Sequence, residues 1–151
     1  MITDKTYHVY FDGAFSKGGV IGWGFIINKW SDSKQKYMKH YSDCGTVTIE
    51  EGTVQVAEFY ALAQAMQTCL DLDIESSILF IGDNKQIITQ MRFPDSTIVM
   101  RARSMGMKSY YKWLLICKSL SKQYIGVSFK WLPREHNKFA DELSKEFRKL
   151  K

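Results

Sequence analysis

Four acidic residues of this 151-residue chain stand where a charge is costly or conspicuously placed. Asp12 interrupts the apolar run VYFDGAF, and Glu58 sits in VAEFYAL, on the first turns of an otherwise apolar helical pattern. Asp83 directly follows the short apolar run SILFIG, and Asp141 lies in KFADELS, one residue after Ala140. A carboxylate inside an apolar strand costs free energy unless something positive sits against it. Each acid also has an ordinary explanation. Asp12-Gly13 suits a tight hairpin turn, acids early in a helix complement its dipole, and an Asp after a strand often caps the next helix. The turn reading needs a second strand directly after Gly13, whereas apolar character fades within two residues into SKGG. As a set the four point further, because open α/β sheets gather functional groups at strand C-termini and neighbouring helix starts.

The elements that would bring them there follow from periodicity. TYHVYFDGAF and GWGFIINKW read as two strands joined through a Gly-rich connection, and KQKYMKHYSDCG as a third, giving an antiparallel meander. From about Thr53 the period changes to that of a well-buried helix ending near LDLD. SSILFIGD has the length and continuous apolar character of a strand covered on both faces, and NKQIITQM is a short helix after it. A long amphipathic pattern opens at Pro94 with Asp95 or Ser96 as its cap, passes Gly106, where a bend is expected, and ends near Lys122. YIGVSFKWLP is a further strand stopped by Pro133. Asn137 is placed to cap a last helix with Ala140, Leu143, Phe147 and Leu150 on one face. The order is β-β-β-α-β-α-α-β-α, with no repeat or linker, so one domain over residues 1–151 is expected.

Composition narrows the class. With 45% hydrophobic and 14% aromatic residues the chain can bury a substantial core, which excludes disorder. No apolar run approaches the roughly 18 to 20 residues of a membrane span, and MITDKTYHVYF lacks the pattern of a signal peptide. Cys44, Cys69 and Cys117 have neither disulfide-framework nor zinc spacing, so reduced structural thiols in a cytoplasmic protein are expected. The net charge of +5 weakly favours a polyanionic partner. Without the four acids discussed above, 21 basic residues face 12 acidic ones, enough for a phosphate-binding surface around a negative centre. Lys17, Arg101, Lys108, Lys112, Lys130 and Arg134 are candidates for it, although a solvated helix face explains Arg101, Lys108 and Lys112 equally well. Contacts of this kind make binding salt-dependent without adding sequence preference.

The segments YFDGAF, GWGFII, AEFYAL, LFIGDN and PREHNKFADELS, in this order across nearly the whole chain, resemble the type 1 ribonuclease H family. The resemblance implies a ribonuclease H-like α/β fold: a mixed five-stranded sheet, three antiparallel strands then two parallel, flanked by helices. It implies that Asp12, Glu58, Asp83 and Asp141 form the catalytic and metal-binding carboxylate set. Four such charges repel one another by roughly 1 kcal/mol per pair at 4 Å in water and about 4 at an effective dielectric near 20, so two divalent cations would relieve the strain. Mg2+ suits an all-oxygen site, with Mn2+ as a substitute. The implied activity is hydrolysis of the RNA strand of RNA:DNA hybrids by a two-metal scheme, Asp12 bridging both ions, with 5′-phosphate and 3′-hydroxyl products. A monomer is expected.

Departures from the family bear on specificity. The loop after the first strand reads SKGGVIGWG, without an Asn-Pro-Gly element, and TVQVAEF carries no asparagine before Glu58. Gln55 and Asn84 remain as side-chain readers, with Gly13, Lys17, Arg134 and Asn137 as further substrate contacts. The basic handle helix is not evident. The histidine loop is also missing, with seven residues between Pro133 and Asp141, and His136 belongs to a shorter branch of the family. A surface or capping role for His136 is favoured over proton transfer. Relaxed substrate choice and a non-catalytic nucleic-acid-binding module are the rival readings. Trp23, Trp113 and Trp131 are expected to pack, as are Met100, Met105 and Met107.

Overall fold

The alternating pattern of the first fifty residues does build an antiparallel meander. In the computed structural model, which describes residues 6–74, 77–93 and 108–149, its strands are β1 (Tyr7–Ser16), β2 (Val20–Ser31) and β3 (Lys36–Thr48). β1 runs unbroken through Asp12-Gly13, with Asp12 opposite Gly24 and Gly13 opposite Trp23, so the strand expected over TYHVYFDGAF forms and the hairpin-turn alternative does not. The chain reverses instead at Lys17–Gly19, where Gly18 and Gly19 adopt φ of 80° and 76°, values that glycine tolerates without cost.

The apolar helical stretch forms α1 (Val54–Asp71), started by Thr53, whose hydroxyl oxygen accepts from the Val56 N–H. β4 (Ile78–Gly82) then enters the sheet parallel to β1, and α2 (Lys85–Arg92), α3 (Lys108–Ser121), β5 (Val127–Trp131) and α4 (Lys138–Ser144) follow. The sheet order is β3-β2-β1-β4-β5, with β5 parallel to β4. This is the expected order of elements and the expected mix of strand directions.

One helix differs from the sequence pattern, and the expected start of another lies outside the described residues. Pro94, Asp95, Ser96, Met100, Arg101, Met105, Gly106 and Met107 lie outside the described residues, and α3 ends at Ser121, close to the expected limit. The last helix stops at Ser144 and gives way to a 3-10 turn over Glu146–Lys149, so it ends before Phe147, and Leu150 lies outside the described residues. Nor does Asn137 cap it with its side chain, which is drawn inward to other partners.

The faces of the sheet are covered unequally. On one face α1, α2 and α3 enclose Phe11, Phe25, Phe59, Phe80, Leu62 and Met66, all fully buried. Burying such side chains contributes about 1.5–3 kcal/mol each, so α1 is held firmly. Cys69 and Cys117 belong to this core and are free thiols, and burial pushes the Cys69 thiol up to about 12. On the other face α4 is the one α-helix among the described residues, packing against β1, β2 and β3 and burying Ala140. Among the described residues no helix is long and apolar enough to cross a membrane.

Candidate active site

Asp12 lies in the central strand, 3% exposed. Both flanking helices approach it closely because glycines surround it. A Cβ on Gly13 would stand 2.2 Å from the Ala57 carbonyl oxygen of α1, and one on Gly24, its cross-strand neighbour, 2.4 Å from Leu143 Cβ of α4. The close approach of α1 lets the Gly13 N–H donate both to Glu58 Oε1 and to Asp12 Oδ1, each at 3.0 Å.

Asp83 completes the cluster from the end of β4. Carboxylate oxygens of Asp12, Glu58 and Asp83 lie within 4.8 Å of one another, three acids remote in sequence meeting at one edge of the sheet. Asp83 is gripped twice: the Trp131 indole N–H donates to its main-chain oxygen at 3.1 Å, and the Asn137 amide donates to its Oδ2 at 3.1 Å. That group of three does not include Asp141, which sits on the first turn of α4 in side-chain hydrogen-bond contact with Asp12. Lys145, one helical turn on, holds Asp141 with Nζ 3.0 Å from Oδ1.

The electrostatics divide these acids. Burial, reinforced by the charges of Asp83 and Asp141, pushes Asp12 up to about 7 against the help of its Glu58 hydrogen bond. Glu58 is raised well above the usual carboxylate range, by burial first and then by Asp12. Asp141 moves the other way: burial alone would raise it, but the hydrogen bonds to Asp12 and Lys145 and the charges of Lys145 and Arg134 outweigh that. Glu58 Oε2 is buried without a hydrogen-bond partner. An all-oxygen donor set in which Asp12 and Glu58 have raised proton affinities and one oxygen is unpartnered suits a hard divalent cation, which would supply the missing positive charge.

The other sequence-predicted residues fall into three groups. Lys17, Arg134 and His136 are exposed, the last two on a 3-10 turn (Arg134–His136) leading into α4. Lys112 and Lys130 are exposed as well, while the side chain of Lys108 lies outside those described. Gln55 is half-buried on the first turn of α1, and Asn84 Oδ1 is engaged as the cap of α2, accepting from Gln86 and Ile87 N–H. Asn137 is buried, 2% exposed, facing inward. Two features went unread in the sequence. The Lys145 pair was accessible through its i,i+4 spacing from Asp141, whereas the Trp131 and Asn137 grips on Asp83 join residues 48 and 54 positions apart and leave no local signal.

A 3-2-1-4-5 mixed sheet with, among the described residues, three helices on one face and one on the other, an acid within β1 and another just past β4, defines a protein of the ribonuclease H1 fold. Solved structures agree. The chain is similar to RNase H1 from the halophilic archaeon Halobacterium salinarum, at 21% identity and TM-score 0.75, covering 95% of this chain and 98% of that one. It is similar to LC11-RNase H1, isolated from compost by a metagenomic approach, at 20% identity and TM-score 0.70, covering 98% and 100%. The N-terminal RNase H domain of a Mycobacterium tuberculosis protein matches at 19% identity and TM-score 0.67, over 95% and 93%. The family model described as reverse transcriptase-like matches residues 11–147, and the chain belongs to that family.

Proposed function

We propose that the protein is a metal-dependent endoribonuclease that hydrolyses the RNA strand of RNA:DNA hybrids, leaving 5′-phosphate and 3′-hydroxyl ends. The convergence of Asp12, Glu58 and Asp83 within 4.8 Å, with Asp141 beside Asp12, carries this reading. Divalent cations held there, Mg2+ or Mn2+, would supply Lewis acidity toward the attacking water and the leaving 3′ oxygen. Asp12, Glu58 and Asp83, with Asp141 close by, would hold the cations. Glu58 is fixed by the Gly13 N–H and offers its free Oε2, and Asp83 is fixed by Trp131 and Asn137. Lys145 keeps Asp141 ionised at the wetter side of the cluster. His136, exposed at the entrance to α4, keeps the surface role expected of it, and Lys17 and Arg134 are exposed where they could meet phosphates.

A second reading, relaxed substrate choice, has its own observation. Asn84 commits its carbonyl oxygen to capping α2, which leaves few side chains to read a 2′-hydroxyl. End-labelled RNA:DNA hybrid, duplex RNA, duplex DNA and single strands, each incubated with and without Mg2+, separate the possibilities. Internal cuts confined to the RNA of the hybrid support the first reading and cutting of several substrates supports the second. A mobility shift without cleavage would leave only a binding module.

A further inference from the structure

We infer that Asn137 is a positioning residue of the acidic site: its side-chain amide bridges the parted ends of β1 and β4 and so sets the distance between Asp12 and Asp83. This rests on the nuclease reading above and deepens it.

The parallel pairing of β1 with β4 runs from Tyr7↔Ile78 to Tyr10↔Ile81 and goes no further. The next carbonyl of β1, that of Phe11, accepts instead from Asn137 Nδ2 at 2.9 Å. The same nitrogen donates to Asp83 Oδ2 at 3.1 Å. One planar NH2 group thus stands in for the missing ladder bond and ties the peptide entering Asp12 to the carboxylate of Asp83. The site lies where the pairing of β1 with β4 stops, and the Asn137 amide is the bridge that spans them there.

Residue type matters here. Both partners are acceptors, so the amide orientation is dictated by the network, and both of its N–H groups are used. Asp at this position offers no donor, and Leu fills the space without bonding. The main chain of Asn137 adds a third tie, because its carbonyl accepts from the Asp141 N–H at 3.0 Å and so starts the turn of α4 that carries the fourth acid. Asn137 Oδ1 is buried with no partner. A side chain kept only for packing would avoid that cost, whereas one kept for its two donors accepts it.

The test compares wild type with Asn137→Leu and Asn137→Ala. Far-UV circular dichroism checks folding, calorimetric titration of the protein alone with Mn2+ measures metal affinity, and steady-state cleavage of hybrid gives kcat and KM separately. Residues that orient metal ligands typically change metal affinity or activity by about 10- to 100-fold. The expected result is a loss of that order in both Mn2+ affinity and kcat, with KM for the hybrid unchanged. Folded variants within twofold of wild type in both quantities overturn the inference. A rise in KM alone overturns it too, by making Asn137 a substrate contact, and loss of the fold in both variants overturns it by reducing Asn137 to a structural tie. A wild type that neither binds Mn2+ nor cuts any substrate brings down the nuclease reading itself, which the other failures leave standing.

Discussion

The two faces of the sheet hold their acids by opposite means. On the densely packed face α1 delivers Glu58 into a dry site, 3% exposed, where its Oε2 has no partner and its proton affinity rises. On the sparsely covered face α4, seven residues long, delivers Asp141 with its side chain 23% exposed and paired to Lys145, so its proton affinity falls. Asp12 belongs to both settings. The contrast separates two physical tasks: a desolvated carboxylate stores unfavourable charge that a cation can relieve, while a wet, salt-bridged one is already relieved and stays ionised.

The sharpest way to break this comparison is to neutralise one acid from each face. Glu58→Gln and Asp141→Asn should both reduce cleavage of the hybrid to background. Their metal-free melting temperatures should diverge, rising for Glu58→Gln as repulsion is removed and falling for Asp141→Asn as the Lys145 pair is lost. Equal shifts of one sign in a thermal melt would contradict the contrast drawn here.

Backbone proximity gives the next largest effect. A methyl group on Gly13 must push against the Ala57 carbonyl of a helix pinned by the main core, and one on Gly24 against the short α4. Overpacking of this kind costs about 1–3 kcal/mol. Gly13→Ala should fall at the upper end and Gly24→Ala lower, because α4 has fewer neighbours to displace. Denaturant titration of the two variants orders them, and a costlier Gly24→Ala would show α4 to be the more rigid element.

Acidity gives a smaller and signed effect. Asp12 holds its proton up to about 7 when folded and releases it near the usual 3.8 when unfolded. Between those values the native state binds more protons, so metal-free stability should fall as pH rises from about 4 to 7. Glu58 acts in the same direction. Asp141 contributes with the opposite sign: its stabilisation is complete above the ordinary carboxylate range and is lost as pH falls through its lowered value. Saturating Mg2+ should flatten the upper slope, and a metal-free melting temperature that climbs over that interval would refute the assignment of burial as its cause. Smallest of all, Thr53→Ala removes the cap of α1 and should cost about 1 kcal/mol with no change in Mn2+ affinity, as followed by denaturant titration and calorimetry.

Much of this architecture was legible along the chain. Alternation marked β1, β2 and β3, the switch to a helical period at Thr53 marked α1, and five short segments pointed to the fold. Local chemistry and tertiary partners pull apart at particular residues. Asp12-Gly13 has the local chemistry of a turn, yet cross-strand pairing with Trp23 and Gly24 keeps it extended. Asn137 has the local chemistry of a cap, yet acceptors on two distant strands claim its amide. The end of the last helix was placed from its apolar stripe, and the chain leaves that helix at Ser144 for a 3-10 turn.

The amino-acid order alone determined which elements form and which four acids stand apart from the apolar background, because periodicity and residue type are local properties, while the mixed sheet followed from the family resemblance. Only the tertiary structure decided that three of those acids close to within 4.8 Å while the fourth leans on Lys145, and that an amide 126 residues from Phe11 bridges the gap between strands. Distances and desolvation arise where remote segments meet, and no local stretch of chain carries them.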